Sequence, residues 1–148
     1  MNARFLTAIV AIIVIGALNL PTLADESFEP ISGVDVLNAT ATPAAIGETS
    51  RLRFRLENFS SSDLTLIGVR SKTASSGAIA IADGSGGSAD TKTLLIKQEE
   101  TIDLETSHIW LELRGAKSRL SVGDTIPFEL LFRNGIVPGI ADVHPAPH

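Results

Sequence analysis

The chain is predicted to fold as a single all-β domain, a sandwich or barrel with Greek-key connections. Three observations lead there. Ser50 to Asn58 alternates, with Leu52, Phe54 and Leu56 set against Arg51, Arg53, Arg55 and Glu57. A period of two places the apolar set on one sheet face and the charges in water. Eight or nine short runs of strand character recur along the chain, divided by Gly, Pro, Asn and Ser. Beyond residue 24, no segment carries the spacing of an amphipathic helix.

Ile31 to Leu37 is a short strand, with Val34 and Val36 alternating around Asp35. Ala39 to Gly47 holds small residues and Pro43, and is expected to be a loop. Ser50–Asn58 and Leu64–Val69 form a hairpin across the turn residues Asn58 to Asp63. Arg70 to Gly77 is a connection and Gly77 to Ala82 a weak strand. Asp83 to Asp90, rich in Gly and Ser, is a flexible loop. Thr93–Lys97, Glu100–Leu104 and His108–Leu113 are strands, and Arg114 to Arg119 is a turn. Ile126–Arg133 and Ile136–Val143 are joined by Asn134-Gly135, a strong hairpin signal. Pro138 has no N–H for a ladder, so it predicts an edge position or a bulge. The side chains expected inside are Leu52, Phe54, Leu56, Trp110, Phe128, Leu130 and Phe132. Trp110 is placed there for its size, although Ile109, Leu111 and Leu113 form the more apolar set of that strand.

Residues 1–24 have the pattern of a secretory signal peptide. Arg4 is the only charge, Phe5 to Leu18 is apolar, and Thr22-Leu23-Ala24 supplies the small-residue end. The apolar run falls short of the ~18 residues that span a bilayer. An uncleaved anchor is the alternative. Residues 25–148 are then one mature domain with a short flexible C-terminal tail, expected in the periplasm and not stably inserted in a membrane. The full chain carries 12 Lys and Arg against 17 Asp and Glu, net −5. Cleavage removes Arg4 alone, which leaves the mature domain at −6. That balance argues against nucleic acid as a partner. There is no cysteine, so no disulfide or lipidated cysteine supports the chain, and stability must come from a packed core.

Three segments, in matching order and spacing, resemble one family. Leu52-Arg53-Phe54-Arg55-Leu56-Glu57-Asn58 is similar to a strand that ends in Glu-Asn before a turn. Leu66-Ile67-Gly68-Val69 is similar to an L-x-G-V strand. Leu120-Ser121-Val122-Gly123-Asp124-Thr125-Ile126 is similar to an L-x-x-G-D-x-V segment. From about Ile31 to Val143 the chain thus resembles the PCu(A)C copper chaperones of the bacterial periplasm. The resemblance implies a cupredoxin-like Greek-key β-sandwich. It implies copper binding and delivery to a copper-accepting membrane protein such as cytochrome oxidase.

The family's Cu(I) set is a His, a hairpin Met and a later His-x-Met pair, because thioether and imidazole suit a soft ion. Carried over residue by residue, His108 matches the His of the pair. Trp110 stands at its Met, and Ala80 at the first His. The hairpin Met has no counterpart, since Met1 is the only methionine. Glu105-Thr106-Ser107 replaces the glycines that usually precede the His. The implied chaperone is therefore a degenerate member, with its metal site lost or rebuilt. The alternative is a non-metal periplasmic module for binding or protein interaction.

The candidate metal residues are His108, His144 and His148. The last two lie in Asp142-Val143-His144-Pro145-Ala146-Pro147-His148. Imidazole suits Cu(II) and Zn(II), so copper is a possible, weakly held ligand. An extended Pro-rich tail keeps His144 and His148 roughly 12 Å apart, too far for one ion unless it bends. The mature N-terminus, Asp25-Glu26-Ser27, has no third-position histidine. No enzyme is expected. Gly84-Ser85-Gly86-Gly87 lacks the Lys-Ser/Thr pair of a phosphate loop. Ser107, His108 and Asp124 lack a nucleophile elbow. The stripe Arg51, Arg53, Arg55 is read as a solvated face with acidic neighbours, or as a docking patch for an acidic partner.

Overall fold

The computed structural model describes residues 29–145. Residues 1–24, read above as a signal peptide, and His148 lie outside them. The described chain is all β, with ten strands: β1 Val34–Ala41, β2 Ser50–Asn58, β3 Leu64–Arg70, β4 Ala74–Ala82, β5 Ser88–Thr91, β6 Leu94–Ile96, β7 Thr101–Asp103, β8 Ile109–Ala116, β9 Thr125–Phe132 and β10 Gly135–Val143. They form one hydrogen-bonded path, β5-β4-β8-β2-β1-β10-β9-β3-β6, with β7 pairing β2 beside it. The path curls back on itself, so inner faces from its two halves share one core. Phe54 of β2 stacks on Phe128 of β9 with ring centroids 6.1 Å apart.

β2 is the spine. Its alternation is matched by its burial, with Ser50, Leu52, Phe54, Leu56 and Asn58 buried and the arginines outside. Its first residues pair with β8 and its last with β7. Asn58 ends the strand and is fully satisfied although buried. Its amide donates to the carbonyl oxygens of Ser62 and Lys97 (3.0 and 3.1 Å) and accepts from the Ser60 N–H and hydroxyl. A buried amide without partners would cost about 1–3 kcal/mol, so this one side chain fixes the turn expected at Asn58 to Asp63. Gly123 closes another turn with φ of 98°, a conformation that costs glycine little. There Asp124 accepts from the Ser121 N–H, and the Gly123 N–H donates to the Val143 carbonyl.

Several expected boundaries move. The Ala39–Gly47 loop starts late, because β1 runs on to Ala41 through a register shift at Asn38, whose φ is 56°. Such a bulge breaks the period of two. The Arg70–Gly77 connection shrinks, since β4 begins at Ala74. The Asp83–Asp90 loop yields β5, a polar edge strand. The Arg114–Arg119 turn also begins late, since β8 continues to Ala116. Pro138 pairs with Glu129 on the β9 side, while β1 meets β10 only at Asp142 and Val143. Its missing donor thus falls at a locally open edge.

Trp110 corrects an expectation. It is 5% exposed but does not belong to the core cluster. Leu111 and Leu113 take the inner positions of β8, and Trp110 is buried on the outer face. The other expected interior residues, Leu52, Phe54, Leu56, Phe128, Leu130 and Phe132, are all in the core.

Candidate functional site

The positions that the resemblance marks for copper lie together on the outer face of β4 and β8. Ala80 and Trp110 are register partners across the two strands, and directly opposed side chains stand about 4.5–5.5 Å apart at Cβ. His108 precedes β8 by one residue, is exposed, and its carbonyl accepts from the Ala82 N–H at 2.8 Å. The two positions that the resemblance marks are thus neighbours, and neither side chain offers copper a donor atom. A methyl group offers no donor atom. The indole N–H is a donor only, and it is spent on Glu112 at 2.9 Å. The residues present do not fit Cu(I) at this position.

A cationic cover has been built over it. Arg51 and Arg53 project from β2, with guanidinium carbons 4.3 and 5.3 Å from the Trp110 ring centroid. Such stacking is worth about 0.5–1 kcal/mol in exposed settings and more when desolvated. Ala80 beside the indole is 0% exposed. Arg53 also pins the segment ahead of His108. Its Nη1 donates to the carbonyl oxygens of Leu104, Glu105 and Ser107 at 3.2–3.3 Å. Burial, and then the neighbouring Arg51, push the Arg53 pKa down, with Asp103 pulling the other way. The same segment is turned by Asp103, which accepts from the Glu105 and Thr106 N–H groups and the Thr106 hydroxyl. The Glu-Thr-Ser sequence that replaces the expected glycines is thus a hydrogen-bonded turn.

On the far side of Trp110 the face continues as an ion ladder. Glu112 accepts from Arg114, and Arg114 reaches Asp90 of β5 at 2.7 Å. Hydrogen bonds to Asp90, then Glu112, raise the Arg114 pKa, and Arg114 holds Asp90 below its ordinary value. Arg55 pairs loosely with Glu105 at 3.7 Å. Neither Arg51 nor Arg53 has a carboxylate within ion-pair distance among the described residues.

His108 and His144 are not brought together, and His148 lies outside the described residues. His144 follows β10, is exposed, and its N–H donates to the Ala41 carbonyl. Along the sheet path, β8 and β10 are separated by β2 and β1, three strand spacings, or about 14 Å. The positive charges of Arg51 and Arg53 stand on β2 between them. Among the described residues no three His, Asp or Glu side chains group as a metal site. A concavity of about 920 Å³ lies elsewhere, against Pro127, Pro138 and Ile140. Its Arg70 is paired with Glu129 at 2.6 Å.

Solved PCuAC domains share this fold. The chain is similar to the apo PCuAC domain from PmoF1 (TM-score 0.64, 20% identity, 80% of this chain and 99% of that one). It is similar to the copper-bound PCuAC domain from PmoF2 (TM-score 0.66, 19% identity, 80% and 98%). The apo form of the PmoF2 domain superposes comparably (TM-score 0.63, 19% identity, 80% and 94%). No family model matches the sequence, and no curated protein matches it. The fold is that of the PCuAC domain, a cupredoxin-like β-sandwich, as the three sequence segments implied.

Proposed function

We propose that this is an exported, periplasmic domain of the copper-chaperone type in which the Cu(I) position has been converted into structure. The observation behind this reading is the Ala80–Trp110 pair. At the two positions where the resemblance puts a His and a Met, a methyl and an arginine-covered indole stand in register. Metal contact would then fall to imidazoles alone, those of His108, His144 and His148, which favour Cu(II) or Zn(II) over Cu(I). Delivery would go to a copper-accepting membrane protein, the partner that the resemblance implies. A second reading, a sandwich retained for protein interaction without metal, is favoured by the same sealed indole and by Arg51, which has no carboxylate partner among the described residues.

Anaerobic titration of the purified exported protein against a chromophoric Cu(I) chelator tests this. The expected result is no tight stoichiometric Cu(I) binding. Weak Cu(II) binding is expected to disappear in a His108→Ala, His144→Ala, His148→Ala triple variant, and its absence from the unaltered protein would favour the interaction module. Tight Cu(I) binding that survives the triple change would overturn both readings.

A further inference from the structure

We propose that the outer-face groove along β1 docks an extended, acidic segment of a partner protein, whose carboxylate is received by Arg51. The groove holds about 640 Å³ and is bounded by Arg51 and Arg53 on the β2 side and by Ile140 and His144 on the β10 side. Its floor follows β1 from Val36 to Thr42. Seven extended residues span about 20 Å, a length suited to a peptide and excessive for a small anion.

Charge complementarity selects the occupant. The chain as a whole is net −5, yet two guanidinium groups sit side by side here with no carboxylate partner among the described residues. They are not equivalent. Arg53 spends Nη1 on three carbonyl groups and is half-buried. Arg51 is exposed, stacked on Trp110, and its guanidinium donates no hydrogen bond among the described residues. The indole holds that guanidinium in place while leaving its N–H groups to a bidentate acceptor. Two acidic residues also line the groove, but Glu105 is engaged by Arg55, and Asp142 stands on the opposite wall. Ile140, 68% exposed, offers an apolar contact across from the arginines. The open stretch of β10 between Ile136 and Asp142, where β1 does not pair, adds unladdered backbone. A segment with an acidic residue two or three positions from an apolar one matches this surface. The docking role does not depend on metal.

The test uses fluorescein-labelled peptides of eight residues, one alternating Glu with Leu and Val, one with Lys in place of every Glu. Anisotropy is followed on the full exported protein. The acidic peptide should bind, weaken steeply between low and physiological salt, and lose about tenfold or more in affinity with Arg51→Ala. Arg51→Ala removes no side-chain hydrogen bond among the described residues, and circular dichroism verifies its fold. Ile140→Ser should weaken binding several-fold, while Lys72→Ala should leave it unchanged. Failure of the acidic peptide to bind, equal binding of the Lys peptide, or indifference to Arg51→Ala would overturn the proposal. So would full competition by millimolar inorganic phosphate with no effect of Ile140→Ser, which would mark a small-anion site instead.

Discussion

The Arg51 guanidinium lies 4.3 Å from the centre of the Trp110 ring, reaching from β2 onto the outer face of β8. Trp110 is the only tryptophan in the chain, so its emission reports on that cover alone. Arg51→Ala should shift the emission to longer wavelength and cost about 0.5–1 kcal/mol in urea unfolding. Unchanged emission would mean that the stack does not shield the ring in solution.

Restoring donors tests whether the copper position is closed by chemistry or by shape. Ala80→His together with Trp110→Met returns two of the missing ligands beside His108. Cu(I) affinity should rise by at least about a hundredfold over the unaltered protein, since a thioether and a second imidazole supply what a soft ion requires. A chelator competition that detects no gain would show that the strands no longer hold these positions at ligand distance.

Arg53 ties three carbonyl groups of the Leu104–Ser107 segment to β2. Arg53→Ala should cost about 2 kcal/mol, in the range for hydrogen bonds to a charged group. It should also speed amide exchange from Glu105 to Ile109. Arg53→Lys should recover only part of this, because an ammonium lacks the planar fork. Full recovery by Lys would assign the effect to charge alone.

Gly77 of β4 lies against β3 so closely that a Cβ there would overlap the carbonyl oxygen of Val69. The obstacle is backbone and cannot turn aside. Gly77→Ala should therefore destabilise by about 3 kcal/mol, the upper part of the overpacking range. Gly84→Ala, at a loop position where a Cβ meets nothing within 4 Å, should cost far less despite its positive φ. Equal melting temperatures for the two variants would contradict the close approach.

Acid should loosen the turn before His108. Asp103 is held below its ordinary 3.8, first by the Thr106 hydroxyl and then by the Glu105 and Thr106 N–H groups. A carboxyl whose folded pKa is depressed contributes its full stabilisation above the unfolded value and loses it as pH falls through the folded one. The contribution is thus complete above about pH 4 and fades below it. Asp103→Asn should flatten that acid limb and leave the slope above pH 5 unchanged, as judged by urea midpoints across the range. An unaltered limb would place the acid sensitivity elsewhere.

How much of this was legible in the sequence depended on where each side chain finds its cover. On β2 the cover lies directly beneath, so Leu52, Phe54 and Leu56 announced themselves by alternation. β5 did not, since an edge strand of Ser, Ala, Asp and Thr is exposed on both faces and has no apolar stripe to show. β1 beyond Leu37 was hidden by the bulge at Asn38, which shifts the register. Trp110 was misplaced because size suggested the core. The alternation of Leu111 and Leu113 had already assigned that face, and the arginines that bury the indole come from another strand. That Ala80 and Trp110 stand where the resemblance puts copper donors was plain from the sequence. The cover over them was not, because it arises only when Arg51 is paired opposite Glu112.

The parallel pairing of β1 with β10, Thr40 beside Asp142, has a temporal meaning. The first strand finds its neighbour about a hundred residues downstream, a non-local closure of the kind that slows β folds to milliseconds or seconds. Until Gly135 to Val143 has emerged, β1 and β9 both present bare edges. A chain made from its N-terminus must keep the β1 edge from other strands for most of its synthesis, and the β9 edge only briefly. The last nine-residue strand acts as the latch, so lesions in β10 should expose the half-formed sheet to aggregation more than equal lesions in β5 at the rim.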